Sequence, residues 1–287
     1  MQLPECALPL WPRAATVSDM GVLLLRLSGP MQSWGDSSRF TVRATRREPT
    51  KSGVVGLLAS ALGRTRGERV DDLCALEFGV RIDQPGEMLR DFQTARSMDG
   101  GKTMPLSNRY FLSDAKFLVA LGGPQDFLDV IGEAVRHPVW PLYLGRRSYV
   151  PAEPIAYDQQ GGLYDDVRVA LESEPWIASS WYRRRLERRG EEFAFPDLEV
   201  VCDAREGELD ETCLDVPLSF GDVRRYVQRA VARSFVPNPD APRSPDGVPS
   251  VPVDHDPMSF FSGGQNVHFT NAPQRGAATG CRHHFFS

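Results

Sequence analysis

An α+β fold with the split βαβ order of a ferredoxin-like domain is predicted for this chain by three observations. Short apolar runs at 22–27, 78–82, 116–121 and 142–144 have the length and residue types of strands. Amphipathic stretches at 51–62 and 124–137 have the spacing of helices, and they fall between those strands. A polar, glycine-containing insertion at 90–113 separates the second and third strands. The order is strand, helix, strand, insertion, strand, helix, strand.

Each element has a local reason. The run 22–27 is apolar apart from Arg26 and stops at Gly29-Pro30, a turn signal. Thr50 is a good N-cap for the helix that follows, Val54, Val55, Leu57, Leu58, Ala61 and Leu62 share its apolar side, and Gly63 is its C-terminal stop. Pro124 opens the second helix, which carries Phe127, Leu128, Ile131 and Val135 on one face and ends at His137-Pro138. Further strands are expected at 199–202, 213–216 and 226–235, which makes 152–236 a smaller β-rich subdomain after a first domain at 21–151. Residues 1–20 hold three prolines and a single basic residue, so they are expected to be a disordered leader rather than a signal peptide. Seven prolines within 237–257 mark 237–287 as a flexible tail.

At 287 residues, with 41% hydrophobic and 25% charged positions, the composition is that of an ordinary globular protein with ample core. No apolar run approaches the roughly 20 residues of a spanning helix, so the expected location is cytoplasmic with no membrane partner. Five scattered cysteines without a C-x-x-C pair fit reduced thiols. Cys281, His283 and His284, with His255 and His268 upstream, match no zinc spacing, so no metal or other cofactor is expected.

The net charge of −5 argues mildly against nucleic acid, but it is a sum of opposing segments. Only Lys51, Lys102 and Lys116 are lysines, so arginine supplies nearly all of the positive charge. Residues 39–51 carry five basic groups and one acid and end at a helix N-terminus, where free N–H groups favour phosphate. Arg39, Arg43, Lys51, Ser52 and Gly53 are candidates on that ground. Arg146 and Arg147 follow a strand end, and Arg183, Arg184 and Arg185 read as a solvated helix face. Residues 197–215 hold eight acids and one arginine, a segment expected to face solvent or a protein partner. Trp34 has two readings, stacking on a base or closing a core edge.

Catalytic signatures are missing from the sequence: it has no P-loop, no G-x-S-x-G elbow, no H-E-x-x-H and no G-x-G-x-x-G. His137 is the one histidine before residue 250, and its place at a helix end suits a dipole-compensating cation better than a general base.

Taken in order, LRLSGPMQSWG (25–35), TKSGVVGLLASALG (50–63), the hairpin-like 91–121 and PLYLGRRSYVPAEP (141–154) resemble the Cas-five family of the RAMP superfamily, in its type I-E CRISPR Cascade form. The resemblance implies a ferredoxin-like (RRM-like) RAMP domain in which 90–113 is a thumb β-hairpin. It also implies a non-catalytic subunit that binds and caps the 5′ handle of the crRNA and joins the Cascade backbone and large subunits in antiviral defence. Target DNA would be met only indirectly, through the complex. By similarity Gln32, Ser33 and Trp34, the Lys51-Ser52-Gly53 helix start, and Arg146, Arg147 and Ser148 bind the handle, and Arg96, Lys102, Arg109 and Tyr110 act on the thumb. The alternative is a repeat-specific, metal-independent endoribonuclease, as in type I-C relatives, which the scarcity of histidine disfavours. A third reading is a protein–protein adaptor without RNA contact.

Overall fold

The computed structural model describes residues 20–35, 41–94, 96–99, 101–221 and 223–242. In chain order these form β1 (Met20–Ser28), β2 (Met31–Gln32), β3 (Val42–Arg43), α1 (Lys51–Ala61), α2 (Asp71–Cys74), β4 (Glu77–Gln84), β5 (Glu87–Gln93) and β6 (Ser107–Ser113). Then follow β7 (Lys116–Pro124), α3 (Gln125–Arg136), α4 (Val167–Ser173), α5 (Ser180–Glu187), β8 (Leu198–Asp203), β9 (Glu211–Ser219) and β10 (Arg225–Val236). The fold is mixed α+β.

Because successive strand residues point to opposite faces, the near-continuous apolar runs of β1, β4 and β7 require cover on both sides. They have it within a six-stranded antiparallel sheet of order β1-β7-β4-β8-β10-β9. On one face Leu25, Leu27, Phe78, Val80, Phe117 and Val119 pack with Val54, Leu58 and Leu128, Ile131, Val135 of α1 and α3. On the other, Val22, Leu24, Leu118, Val200 and Cys202 pack with Val167, Leu171 of α4 and Tyr182, Leu186 of α5. Each fully buried leucine here contributes about 1.5–3 kcal/mol relative to exposure.

Helix α1 starts as the sequence predicts. Thr50 Oγ1 accepts a hydrogen bond from Gly53 N at 3.2 Å, and Gly63 ends the helix with φ +76°. The strands expected beyond 198 are present as β8, β9 and β10, and β8 pairs directly with β4, so they lengthen the first sheet at its β4 edge. The insertion becomes the β5–β6 hairpin, whose first strand begins at Glu87 rather than at 90. Strand β6 also pairs with β2, antiparallel, and with β3, parallel, which makes a second, four-stranded sheet.

Two expectations are corrected. No strand forms at 142–144: Leu144 is buried but turns into Gly145 at φ +91°. The free edge of β1 is instead occupied by 152–157, where Ala152 N donates to Ser28 O (2.8 Å), Arg26 N to Ile155 O (2.7 Å) and Tyr157 N to Leu24 O (3.3 Å). Pro154 lacks an N–H, and an edge is where a strand tolerates that. The stretch expected as tail is fixed over its first residues, because Asn238 is buried and Asp240 pairs with Arg183 at 2.7 Å. The leader at 1–19, the remainder of the tail, and the Cys281, His283, His284 group lie outside the described residues.

Candidate nucleic-acid interface

A cavity of about 260 Å³ opens where the start of α1, the end of β2, the loop at 142–145 and the turn between β9 and β10 meet. Ser33, Trp34, Gly35, Thr50, Ser52, Gly53, Arg66, Tyr143, Gly145, Phe220, Arg224 and Tyr226 are among its lining residues. Two glycines allow this approach. A Cβ on Gly145 would lie 1.8 Å from the Ser33 carbonyl oxygen, and one on Gly53 would lie 2.7 Å from the Trp34 ring. The loop is held to the β2 side by Ser33 N donating to Leu144 O at 3.1 Å.

Arg146 is the pin of that loop. Its guanidinium donates to Tyr149 Oη (2.8 Å), to the carbonyl of Tyr110 on β6 (3.1 Å) and to the carbonyl of Arg43 on β3 (3.4 Å), and it lies over the Tyr149 ring. It therefore fixes loop, hairpin and β3 together. Arg147 and Ser148, one and two residues on, are exposed, as is Arg43.

The sequence-predicted residues meet different fates. Ser33, Trp34, Ser52 and Gly53 do line one cavity, with Arg147 and Ser148 on the neighbouring loop. Gln32, Trp34 and Lys51 are corrected as free RNA contacts, because their side chains are used internally. Gln32 is fully buried, its Nε2 donates to the carbonyls of Leu27 and Ala115, and its Oε1 accepts from the Trp34 indole. Trp34 is 1% exposed, so of its two readings the core edge holds. Arg39 lies outside the described residues. On the hairpin, Arg96 and Lys102 are exposed, while Arg109 and Tyr110 are half-buried on β6.

The helix N-terminus is the larger correction. Its first N–H group, that of Lys51, already donates to a carboxylate, Asp215 Oδ2, at 2.8 Å. The Lys51 ammonium is buried and pairs with Asp203 at 2.9 Å, and Arg229 bridges both acids, at 2.8 Å to Asp215 Oδ1 and 2.8 Å to Asp203 Oδ1. Burial alone would lower the Arg229 guanidinium, and the hydrogen bonds and charge of Asp215 with the charge of Asp203 reverse that, so it is held above its ordinary value. A second network joins Arg46 and Arg233 to Glu48, Glu199 and Glu211 at 2.5–3.0 Å. The acidic segment is thus split: Glu199, Asp203, Glu211 and Asp215 pair with cations of the same chain, while Glu206, Glu208 and Asp210 are exposed as expected. Strand pairing sets its carboxylates against the basic residues of 46–51 and β10.

What remains open around the cavity is basic and aromatic. Arg43, Arg47, Arg66, Arg147, Arg224 and Arg225 are exposed and have no carboxylate within ion-pair distance among the described residues. Tyr143, Phe220 and Tyr226 are half-buried in the lining. Planar guanidinium groups and aromatic faces are what single-stranded nucleic acid uses, for phosphate contact and base stacking. Sequence reasoning missed Arg66, Tyr143, Phe220 and Tyr226. The aromatic–arginine alternation in SFGDVRRY, at 219–226, was the available signal. Among the described residues the lining has no histidine, cysteine or carboxylate. His137 stands at the end of α3, 75% exposed and 3.6 Å from Glu133.

Three comparisons bear on this site. The family model described as CRISPR-associated protein (Cas_Cas5) matches residues 22–232. The CRISPR system Cascade subunit CasD of Escherichia coli (strain K12) is 37% identical over 155 residues, which are 46% of this chain and 68% of that protein. Among solved structures, a Cas protein crystal structure is 40% identical at TM-score 0.60, covering 78% of this chain and 99% of that one. A chain of a CRISPR RNA-guided surveillance complex is 32% identical at TM-score 0.57, covering 75% and 91%.

Proposed function

The chain belongs to the CRISPR-associated protein (Cas_Cas5) family, and from that premise we propose that it is the type I-E Cascade subunit that holds the 5′ handle of the crRNA without cutting it. The observation that carries the reading is the cavity beside α1, with aromatic lining and with Arg43, Arg66, Arg147 and Arg224 around it having no carboxylate partner among the described residues. Handle phosphates meet Arg43, Arg147, Arg66 and Arg224, and bases stack on Tyr143, Phe220 or Tyr226. Ser33, Ser52 and Gly53 shape the floor. Lys51 and Arg146 act as positioning residues, holding α1, β3 and the loop in place.

The sheet order supports a ferredoxin-like RAMP reading of the N-terminal part. Its four strands are β4, β7, β1 and the extended stretch 152–157, with α1 and α3 on one face and the β5–β6 hairpin as the thumb. The hairpin carries Arg96, Lys102 and Arg109 with exposed Met88, Phe92, Met104 and Leu106, a surface suited both to RNA and to the neighbouring backbone and large subunits. The strands of 198–236 extend the same sheet beyond β4.

General acid–base cleavage of RNA needs groups that titrate near neutrality, and the described lining offers none. That favours holding over cleavage. Binding of a labelled handle RNA to the purified chain, measured against salt, tests the reading. Replacing Arg66, Arg224 and Tyr143 together with alanine is expected to weaken binding about tenfold or more, since stacking alone contributes about 1–3 kcal/mol per base. Unchanged binding, or specific cleavage of a repeat transcript in metal-free buffer, would contradict it.

A further inference from the structure

We propose that the exposed flank of α5 and the turn after it form a second nucleic-acid surface, one that takes the phosphate backbone of a double-stranded nucleic acid without reading its sequence. The described arginines with no carboxylate partner among the described residues fall into two groups. One surrounds the cavity and hairpin; the other is Arg184, Arg185, Arg188 and Arg189, all exposed, within six consecutive residues. Elsewhere in this half of the chain Arg168, Arg183, Arg205, Arg229 and Arg233 each have an acid within 4 Å. Glu187 and Glu191 are beside the four and pair with none of them.

The four arginines crowd the C-terminal end of α5: Arg184 and Arg185 are in its last turn, Arg188 is its C-cap and Arg189 follows. The helix dipole favours cations there, while the like charges repel one another and leave a concentrated positive patch. Two of the four are held in place by aromatic rings. Arg185 lies 5.5 Å from the Trp181 ring centre and 5.2 Å from that of Tyr182, and Arg189 lies 5.0 Å from that of Phe193. A guanidinium stacked on a ring keeps its N–H edge for phosphate and loses less freedom on binding.

The base beneath is rigid. Tyr182 and Leu186 are buried in the core on the α4 side of the large sheet, and Arg183 is pinned by Asp240 and lies over Trp176. The cavity belongs to α1, on the opposite face, so the sheet separates the two surfaces. The shape favours a duplex. Single strands are held in grooves with open aromatic faces, whereas this helix flank is convex, Tyr182 is buried in the core beneath it, and the partly exposed rings of Trp181 and Phe193 each have a guanidinium 5.5 or 5.0 Å from the ring centre. A stiff double helix presents regularly spaced phosphates to such a flank, and contacts of that kind position without specifying sequence.

Salt-dependent binding of the full chain to a random-sequence DNA duplex tests this. Replacing all four arginines with glutamine is expected to weaken duplex binding at least about tenfold and to reduce the salt slope by about 3–4, at about 0.9 per phosphate contact. Handle RNA binding should hold, whereas the Arg66, Arg224, Tyr143 variant should lose RNA and keep duplex. The pair Arg184→Gln and Arg188→Gln touches no aromatic ring, so folding is spared, and it should lower the slope by about 2. The quadruple lysine variant should retain most of the binding. Wild-type duplex affinity and slope in the folded glutamine variants would overturn the proposal. So would binding of the wild type to anionic phospholipid vesicles but not to duplex.

Discussion

The N-terminus of α1 and the flank of α5 look alike in sequence, each a cluster of basic residues beside a helix, and the fold treats them oppositely. At α1 the two cations that face the large sheet are internal, while Arg43 and Arg47 of the same run stay exposed: Lys51 meets Asp203, its N–H meets Asp215, and Arg46 shares Glu48 and Glu211 with Arg233. At α5 four arginines face water with no acid in reach among the described residues. A run of basic residues therefore says nothing of its fate until the strands that oppose it are known. Where the register brings acids, charge becomes architecture; where it brings none, charge remains available to a partner.

The largest effect expected from this contrast is on stability. Asp215→Ala removes the acceptor of Lys51 N and one of the two carboxylates of Arg229, leaving Lys51 and Arg229 to share Asp203 alone, and should cost about 3 kcal/mol in denaturant unfolding. A cost below about 1 kcal/mol, as for a surface pair, would break the claim that this end of α1 is closed from within.

Next in size is an acid-sensitive loss. Arg46, against partial burial and with Arg233, holds the Glu211 carboxyl below its ordinary range, and Arg168 with the Arg205 N–H holds Glu208 down to about 2. A folded-state value below the unfolded 4.5 means the contribution is complete above about pH 4.5 and is lost as pH falls towards about 2. The melting temperature should be flat from pH 7 to 5 and fall below that, and Glu211→Gln should lower the plateau and shallow the fall. An equally steep fall in Glu211→Gln would assign the acid sensitivity elsewhere. The smallest effect is at α5, where Arg184→Gln should change stability by no more than about 0.5 kcal/mol; a larger loss would give that arginine a structural partner.

Much of the fold was legible because its signals are local. Thr50 and Gly63 bracket α1, the apolar runs mark β1, β4 and β7, and the polar insertion marks the hairpin. The edge of β1 was not legible, because Leu142 and Leu144 have strand residue types while 152–157 contains Pro154. Only the free edge of a sheet excuses that proline. The cavity was half legible: its glycines and serines stand in three of the quoted motifs, but Phe220, Arg224 and Tyr226 arrive from the β9–β10 turn, about 170 residues after the start of α1. The pairing of Lys51 with Asp203 was invisible for the same reason, since it depends on which strand lies beside which.

Photo-crosslinking of handle RNA to the full chain, with the modified residues mapped by mass spectrometry, tests the central claim most directly. The account predicts adducts at Tyr143, Phe220 or Tyr226, competed away by unlabelled handle RNA and not by duplex DNA. Adducts confined to α5, or competed equally by both, would contradict it.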